Sequence, residues 1–540
     1  MTSFVEDLAI TLSLNIKDKV YDVPINNVRS LELTLRYCGF SGKVSFIVDN
    51  EVSKDTLLAQ IIEDDLIEVI LKVEKVIVPP KAESIPLNLT GLVTTRSFSE
   101  QIQASDEPTQ TLMINRHYHF EFADSAQVLW KQHRPCDLFT NSTLKALIQA
   151  HTPKEIVIQY DWSFLDDQYP VLGLSLGAPT NEASFYDFIL WLVDSHNGVF
   201  SYDFSTNEYS LTATKKPSKS TLSLDPFEVA NLKTEYPEVL RYQAKVLNAY
   251  VDSPKTTAVD NAQNASPMRR DYIASYPVAS DMQARETLEN NRFKQRLHEV
   301  SLGYKKFQLE VTAPGQLVNF LKSSAWDASL FNQDKNYCVN KWSMNAYWKK
   351  PGNVPSHSVY EIEHSLKLEG SEELWVDIPS YITPVYPVFV EGKVNCEQGE
   401  ETDATYQFQA DDDTSINYYQ VSIPLWENKK IRAAYQPSMD TGQFYFPYYK
   451  NAKVLVGLNF DNAFIVNFLD WESGVALPMD SQGNQIVMGK STTSKNVIKH
   501  TYVDSKPEFQ IQRTEEKDTE LLQFSDGYII LQTQQEDDGS

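Results

Sequence analysis

The chain has no run of about 18 apolar residues, so no segment has the length and hydropathy of a membrane-spanning helix. Its first residues, MTSFVEDLAITLSLNIKDKVYDV, have neither a basic start nor a continuous apolar core of signal-peptide length. We therefore expect a soluble chain made in the cytoplasm, and we expect any export to use a route other than general secretion.

Cysteine and positive charge are both scarce. The four cysteines, Cys38, Cys136, Cys338 and Cys396, are widely spaced, which favours reduced thiols over a disulfide framework. The 48 Lys and Arg residues are outnumbered by 73 Asp and Glu residues, which gives a formal net charge of −25. Such a surface repels phosphate backbones and anionic lipids, so the composition argues against nucleic-acid binding and stable membrane attachment.

Motifs of catalysis and cofactor binding are missing as well. The sequence contains neither a G-x-G-x-x-G nor a G-x-x-x-x-G-K-[ST] phosphate loop, and it has no G-x-S-x-G nucleophile elbow. The run Asp411-Asp412-Asp413 lacks the twelve-residue calcium loop, and we interpret it as a solvated loop. Paired carboxylates of a glycosidase meet in space rather than along the chain, so that possibility stays open. We expect no enzyme activity, no metal and no cofactor.

Strand-forming residues are abundant, with 12% aromatics and 28 tyrosines among 540 residues. Residues 1–75 contain the strand-like runs LAITLSL, LELTLRY, KVSFIV and LIEVILKV, and we interpret 87–99 as a strand pair. The polar segment 255–271 is interpreted as a loop. The sequence past residue 384 is again almost entirely strand-like. The predicted fold class is therefore β-rich. It is all-β with a few inserted helices, which make it α+β.

Four helices are predicted between the strands, the last of them polar and covering residues 281–300. A hairpin with a turn at Ser205-Thr206-Asn207 follows the third helix, which Gly198 ends. The predicted N-caps are Asp124 or Ser125 for the helix at AQVLW, Asn141 or Ser142 for TLKALIQAH, and Ser184 for SFYDFILWLV.

Three histidines close together in sequence raise the question of a metal site. His117 and His119 lie on one face of the strand 116–122 because side chains alternate along a strand, and His133 follows near a predicted turn. No Cys-x-x-Cys or H-E-x-x-H motif accompanies them. We interpret this cluster as polar surface where a strand leads into helices.

The order of segments between residues 116 and 204 resembles the hub of contractile-injection spike proteins. This family comprises the VgrG proteins of type VI secretion, the spikes of extracellular injection systems and the central hub of T-even phage baseplates. Its members have an R-x-x-x-[IL]-F element before an amphipathic helix, and then a helix of the form S-x-x-x-F-[IL]-x-x-[IL]-x-x-x-x-G. The matching positions are Arg134, Leu138, Phe139, Ser184, Phe188, Ile189, Leu192 and Gly198, followed by Phe200 and Tyr202.

The C-terminal third is similar to the OB barrel of those spikes. The family pattern G-x-x-x-x-P-x-x-G-x-E-V-L-V-x-F is matched at Gly442, Pro447 and Val454-Leu455-Val456. The glycine-glutamate pair is missing, and so is the G-R-V-K-V-x-F-x-W-D motif of type VI spikes. This departure weakens the type VI assignment more than it weakens the assignment to a spike.

The last residues contain three strand-like runs, FQIQRT, ELLQF and YIILQT, separated by turn signals. Three copies of such a meander resemble a very short version of the family's triple-stranded β-helix needle, and the alternative is a hairpin packed on the OB barrel. Period-two alternation assigns the needle core to Phe509, Ile511, Leu522, Phe524, Ile529 and Leu531.

The resemblance also implies a domain order. It places a first hub barrel at 1–104, a helix-containing insert and second hub region at 105–254, further hub barrels at 255–383, an OB-fold domain at 384–471 and a C-terminal β-helix needle at 472–540.

The implied function is structural. The resemblance implies a homotrimer that caps a hexameric inner tube, contacts baseplate proteins, adapts the tube to a threefold needle and carries a PAAR-type tip protein or an effector. Such a protein assembles in the cytoplasm, becomes part of an injected or extracellular particle, and touches the target membrane only on puncture. The alternatives are a carbohydrate-binding or carbohydrate-cleaving β-rich protein, suggested by the Tyr and Trp content, and a phage tail hub.

Overall fold

The structure is a computed structural model. It describes residues 3–535 except 18, 52–54, 81–83, 104–112, 219, 249–254, 274–278, 294–297, 324–325, 328–330, 332–334, 373–376, 401–406, 408, 411–416, 436–447, 449, 471–482 and 492. Strands account for 56% of the chain and helices for 12%, so the predicted β-rich class is confirmed.

The chain divides into two compact units. The first comprises residues 1–135, 143–167 and 179–384, and the second comprises 136–142, 168–178 and 385–540. The five domain boundaries that the sequence suggests remain predictions.

The N-terminal strands confirm the runs predicted within residues 1–75. Buried and exposed residues alternate along them because each strand has one face in the core. The strand pair predicted at 87–99 is wrong: one long strand passes through a register shift between Val93 and Thr95. These strands are β1 (Ser3–Ile16), β2 (Lys19–Val23), β3 (Val28–Arg36), β4 (Gly39–Glu51), β5 (Ile67–Lys75), β6 (Leu87–Gln103) and β7 (Met113–Ala123).

The middle of the chain adds shorter strands and one long hairpin. In chain order they are β8 (Cys136–Thr143), β9 (Ile158–Asp161), β10 (Gln168–Ser175), β11 (Val199–Asp203), β12 (Glu208–Thr212), β13 (Thr221–Leu224), β14 (Val229–Glu235), β15 (Gln243–Asn248), β16 (Lys255–Val259), β17 (Arg269–Ile273), β18 (Glu299–Tyr304), β19 (Leu317–Phe320), β20 (Tyr337–Pro351) and β21 (Ser358–Gly370).

A closed barrel forms the centre of the first unit. Strands β20, β3, β4, β7, β6, β5, β1 and β21 pair in that order, and β20 also pairs with β21, which closes the ring. The sheet extends beyond this barrel from the long hairpin β20–β21. On one side β21 pairs with β18, which pairs with β14, and on the other β20 pairs with β19, which pairs with β13. Residues far apart in sequence therefore share one hydrogen-bonded sheet.

The described residues include five α-helices: α1 (Thr56–Ile61), α2 (Ser125–Leu129), α3 (Leu144–Ala150), α4 (Phe185–Ser195) and α5 (Ala279–Phe293). The predicted N-caps Asp124 of α2 and Ser184 of α4 are confirmed. The predicted cap of α3 is wrong, because β8 continues through Asn141 and Ser142 and the Thr143 hydroxyl accepts the capping hydrogen bond.

Two other local predictions are also wrong. The helix predicted over 281–300 ends earlier, because Glu299 and Val300 lie in β18 and pair with other strands of the large sheet. The segment 255–271, predicted as a loop, contributes β16 and the start of β17, which flank β15 in a small sheet. In both places tertiary pairing overrides a polar local composition.

The second unit contains the predicted OB barrel. Its strands are β22 (Val388–Asn395), β23 (Gln409–Ala410), β24 (Asn417–Ile423), β25 (Lys429–Ala434), β26 (Lys453–Leu458) and β27 (Ala463–Asp470). The ring runs β22–β24–β25–β27–β26 and closes on β22, and the β25–β27 pairing is parallel. This is the strand order of an OB-fold. Leu138 of β8 and Val171 of β10 belong to the same hydrophobic core.

Candidate functional site

The C-terminal segment forms an antiparallel meander that comprises β28 (Asn484–Ser491), β29 (Ser494–Val503), β30 (Lys506–Glu515), β31 (Asp518–Ser525) and β32 (Tyr528–Gln534). The three predicted runs correspond to β30, β31 and β32 and are confirmed as strands. The predicted needle region 472–540 also includes β28 and β29, for which the sequence suggests no individual strand boundaries.

The six predicted needle-core residues lie on one face of this meander. Phe509 pairs with Phe524, and Phe524 pairs with Ile529. One step along the strands, Ile511, Leu522 and Leu531 are aligned in the same way. Residues two apart on a strand share a face, so the two rows form a continuous apolar surface. We call this surface the apolar face.

The apolar face is the more exposed face of the meander. Phe509 and Phe524 are 38% and 41% exposed, and Ile529 and Leu531 reach 67% and 80%. A soluble sheet with one wet side normally turns its polar residues to water. The inverse arrangement marks a surface that another protein covers.

On the opposite face of the meander, two glutamine side chains donate hydrogen bonds to one buried glutamate. Glu508 is 8% exposed, and its carboxylate accepts hydrogen bonds of 2.6 Å from the side-chain amides of both Gln510 and Gln523. Charge-assisted hydrogen bonds of this kind stabilise a buried carboxylate. The buried carboxylate on this face is therefore satisfied within one chain, whereas the side chains of the apolar face remain exposed.

The hub positions suggested by the resemblance include the apolar helix α4. Ser184 and Asp187 form a reciprocal capping box at its start, and Phe188 is fully buried. The helix ends at Ser195, and Asn197 takes the left-handed conformation at φ 55°. Gly198 has a different role, because a Cβ there would lie 2.3 Å from the Trp162 ring. The glycine permits this close approach of a tryptophan.

The remaining hub positions are spread over both units. In the first unit, the Arg134 guanidinium donates to the Glu182 carbonyl at 3.5 Å. In the second, Leu138 is fully buried in the OB core and the Lys429 ammonium lies 5.6 Å from the centre of the Phe139 ring. Gly442 and Pro447 lie outside the described residues, as does the Asp411-Asp412-Asp413 run.

The three histidines of the sequence cluster have different surroundings in the structure. His117 and His119 lie on β7 with partly and largely exposed side chains. His133 meets a histidine that the sequence did not suggest, since its Nε2 is 3.0 Å from Nδ1 of His151. Burial lowers the pKa of His133. Within the described part of the chain, no group of three or more His, Cys, Asp or Glu side chains is placed to hold a metal ion.

Two buried titratable groups, Asp124 and His364, were not predicted as buried from the sequence, although Asp124 was predicted as a helix cap. Asp124 is fully buried, and burial raises its pKa, while hydrogen bonds from Tyr209, Gln127 and Phe40 act in the opposite direction. His364 is enclosed by aromatic rings, and burial lowers its pKa to about 3. Both lie inside the first unit rather than in a cleft, so neither is placed as a catalytic group.

The closed barrel with its long hairpin, the OB barrel and the C-terminal meander together give the chain a VgrG-like hub fold, as the resemblance of its sequence predicted. No family model matches the sequence. No curated protein matches it either. No helix among the described residues is long and apolar enough to cross a membrane.

Solved structures show the similarity of fold directly. The chain superimposes on a chain of the lidless PdpA–VgrG complex with a TM-score of 0.69 and 12% sequence identity, over 98% of either chain. A chain of the lidded Francisella PdpA–VgrG complex also gives a TM-score of 0.69 at 12% identity, over 98% of this chain and 80% of the other. The half-lidded Francisella complex gives 0.68 at 12% identity, over 99% and 89%.

Proposed function

We propose that this chain is the structural hub and spike subunit of a contractile injection apparatus and that it works as a homotrimer. The observation that carries the proposal is the exposed apolar face of the meander. Six apolar side chains lie in two cross-strand rows on this face, and all of them except Leu522 are at least 38% exposed in the single chain. Three copies of the meander around a common axis would bury them against one another.

The similarity of fold supports this role. The comparison with chains of PdpA–VgrG complexes spans 98% of this chain, so it includes both units as well as the meander. At 12% identity this similarity concerns the fold and leaves the function a proposal. A spike hub needs few reacting groups, and Asp124 and His364 lie in the interior of the first unit. We accordingly propose a role without catalysis.

The energetic case rests on the six side chains. Burying one aliphatic or aromatic side chain completely stabilises a complex by about 1.5–3 kcal/mol, so a half-exposed side chain contributes on the order of 1 kcal/mol. Three copies multiply this contribution. The summed free energy of burial offsets two costs of association. These are the loss of translational and rotational freedom and the mutual repulsion of three chains with a net charge of −25 each.

The partners follow from this role. The hub caps a hexameric inner tube, contacts baseplate proteins and carries a PAAR-type tip protein or an effector on the needle end. It assembles in the cytoplasm and then travels in an injected or extracellular particle, with only transient contact with the target membrane. The acidic surface disfavours nucleic acid as a partner.

Light scattering on the purified full-length protein tests the proposal. One chain has a mass of 61.6 kDa, and we expect about three times this mass at micromolar concentration and physiological salt. The trimer should persist in high salt, because apolar burial rather than exposed charge holds it together. A monomer under all these conditions would rule out the trimeric spike.

A further inference from the structure

A cleft of about 790 Å³ opens in the first unit over the small sheet of β11, β12 and β9. The middle of its floor is one cross-strand row, because Ser201 of β11 and Gln159 of β9 both pair with Ser210 of β12. In the neighbouring row Phe200 pairs with Leu211, and both point the other way into the core. The sheet therefore turns a polar face with short side chains to the cleft, whose volume is typical of a ligand pocket.

One wall of the cleft consists of two chain segments, 85–88 and 310–316, that are joined to each other. The Ile85 N–H donates to the Leu309 carbonyl at 2.9 Å, and Ile85 forms a parallel bridge with Glu310. Most side chains of this wall are apolar, and Ile85 is 53% exposed. A ligand in the cleft would thus contact a polar floor and a mostly apolar wall.

The charges that line the cleft are mainly negative. Among the described residues of its lining, Asp161, Asp203 and Glu310 are acidic and only Lys216 is basic. Lys216 forms an ion pair with Asp161, whereas Asp203 and Glu310 have no cationic partner in the described part of the chain. A cleft lined by one sign of charge attracts ligands of the opposite sign. Two carboxylates are therefore left for the cationic groups of a ligand.

The spacing of the acidic residues disfavours a metal ion. Asp203 pairs with Glu208, whereas Asp161 pairs with Thr212, four residues further along β12. At about 3.3 Å per residue, the Cα atoms of Asp161 and Asp203 are at least about 13 Å apart. Within the described residues, no group of three His, Cys, Asp or Glu side chains is placed to hold a metal ion. Carboxylates spread along a cleft suit a ligand whose positive charges are spread along a chain.

We propose that this cleft binds an extended, lysine- or arginine-bearing segment of a partner protein. Lys and Arg have an apolar stem and a charged end, so the stem can lie on the wall near Ile85 while the charged end reaches Asp203 or Glu310. The hydroxyls of Ser201 and Ser210 can bond either the N–H or the C=O groups of an extended backbone. All lining residues belong to the first unit, so this inference does not rest on the proposed homotrimer.

Isothermal titration calorimetry on the full-length protein tests the cleft. The probe is the peptide GKAKAKG, acetylated and amidated so that only its lysines are charged, and GQAQAQG is the uncharged match. Asp203→Asn with Glu310→Gln removes the unpaired carboxylates, and Ser210→Lys independently places a cation on the floor. The matched control, Asp167→Asn with Glu516→Gln, removes the same charge at exposed positions outside the cleft. Circular dichroism first verifies that each variant is folded.

We expect the natural protein and the control variant to bind GKAKAKG with equal affinity. Both cleft variants should bind it at least about tenfold more weakly, which corresponds to about 1.4 kcal/mol. The natural protein should discriminate against GQAQAQG by a similar factor, because the peptide then lacks the charges that the carboxylates pair with.

Equal losses in the two double variants would show that net charge rather than the cleft attracts the peptide, and this would overturn the proposal. Absence of binding by the natural protein at millimolar peptide, or equal binding of the two peptides, would overturn it as well. The trisaccharide of N-acetylglucosamine is the third probe. If the natural protein binds it more tightly than GKAKAKG and Ser210→Lys abolishes this binding, the cleft is a saccharide site and the proposal fails.

Discussion

The carboxylate of Asp124 accepts a 2.6 Å hydrogen bond from the Tyr209 hydroxyl, and this hydroxyl in turn accepts from the backbone N–H of Ala126. One phenol thus joins the end of β7 and the first turn of α2 to β12, more than 80 residues further along the chain. All of this lies in the fully buried centre of the first unit.

Replacing Tyr209 by phenylalanine should destabilise the first unit. The change leaves a buried carboxylate with one donor fewer and a buried N–H without its acceptor, which costs about 1–3 kcal/mol. We expect a lower thermal midpoint and a lower urea midpoint for this unit.

Tyr304→Phe is the matched control for this experiment. Tyr304 is also almost fully buried, but its hydroxyl has no hydrogen-bond partner within the described residues. Its removal should be neutral or slightly stabilising. Equal losses in the two variants would contradict the assigned role of the Asp124–Tyr209 hydrogen bond.

Stability of the first unit should fall in acid because of His364. Burial among Tyr304 and Trp342 lowers the pKa of His364 from 6.5 to about 3, and neither ring nitrogen has a hydrogen-bond partner in the described structure. Below pH 6.5 the unfolded chain therefore binds a proton that the folded chain does not. This contribution to stability is complete above pH 6.5 and is lost as the pH falls from 6.5 toward 3, by about 1.4 kcal/mol per pH unit.

Urea unfolding between pH 7.5 and pH 4.5 measures this effect by comparing the natural protein with His364→Phe. The Asp and Glu carboxylates titrate in both proteins. The difference between the two slopes of unfolding free energy against pH therefore isolates the contribution of His364. Parallel pH profiles would contradict the prediction.

The double variant Ile529→Asp with Leu531→Asp should abolish the trimer. It places six carboxylates on the shared apolar face of three copies, where unpaired charge is strongly unfavourable. The control is Gln532→Asp with Gln534→Asp, which adds the same charge to the opposite face of the same strand. We expect a monomer for the first variant and a trimer for the control by light scattering. If both variants remained trimeric, the apolar face would not be the trimer core.

Replacing His117, His119 and His133 together by asparagine should leave assembly and injection unchanged. The first two side chains lie on the outer face of β7, and the ring of the third contacts His151 and Phe185. We expect the same mass by light scattering and the same activity in an injection assay. Stoichiometric metal in the natural protein, lost together with activity in the variant, would contradict this interpretation.

Local sequence determined much of this protein: the strands of residues 1–75, the N-cap of α4 at Ser184 and the common face of the six meander residues. In each case a period of two or a capping side chain acts within a few residues, so the information is local. Where the sequence was wrong, at the cap of α3, at the end of α5 and at 255–271, distant strands supplied hydrogen bonds that outweighed local preference.

Only the tertiary structure decided the rest. The pairings of β20 with β3 and of β21 with β1 in the barrel, the placement of Leu138 in the OB core and the burial of His364 depend on contacts between residues far apart in the chain. The sequence also grouped the apolar residues of the meander without showing that they face solvent. That exposure is visible only in the folded chain, and it is the feature on which the proposed homotrimer rests.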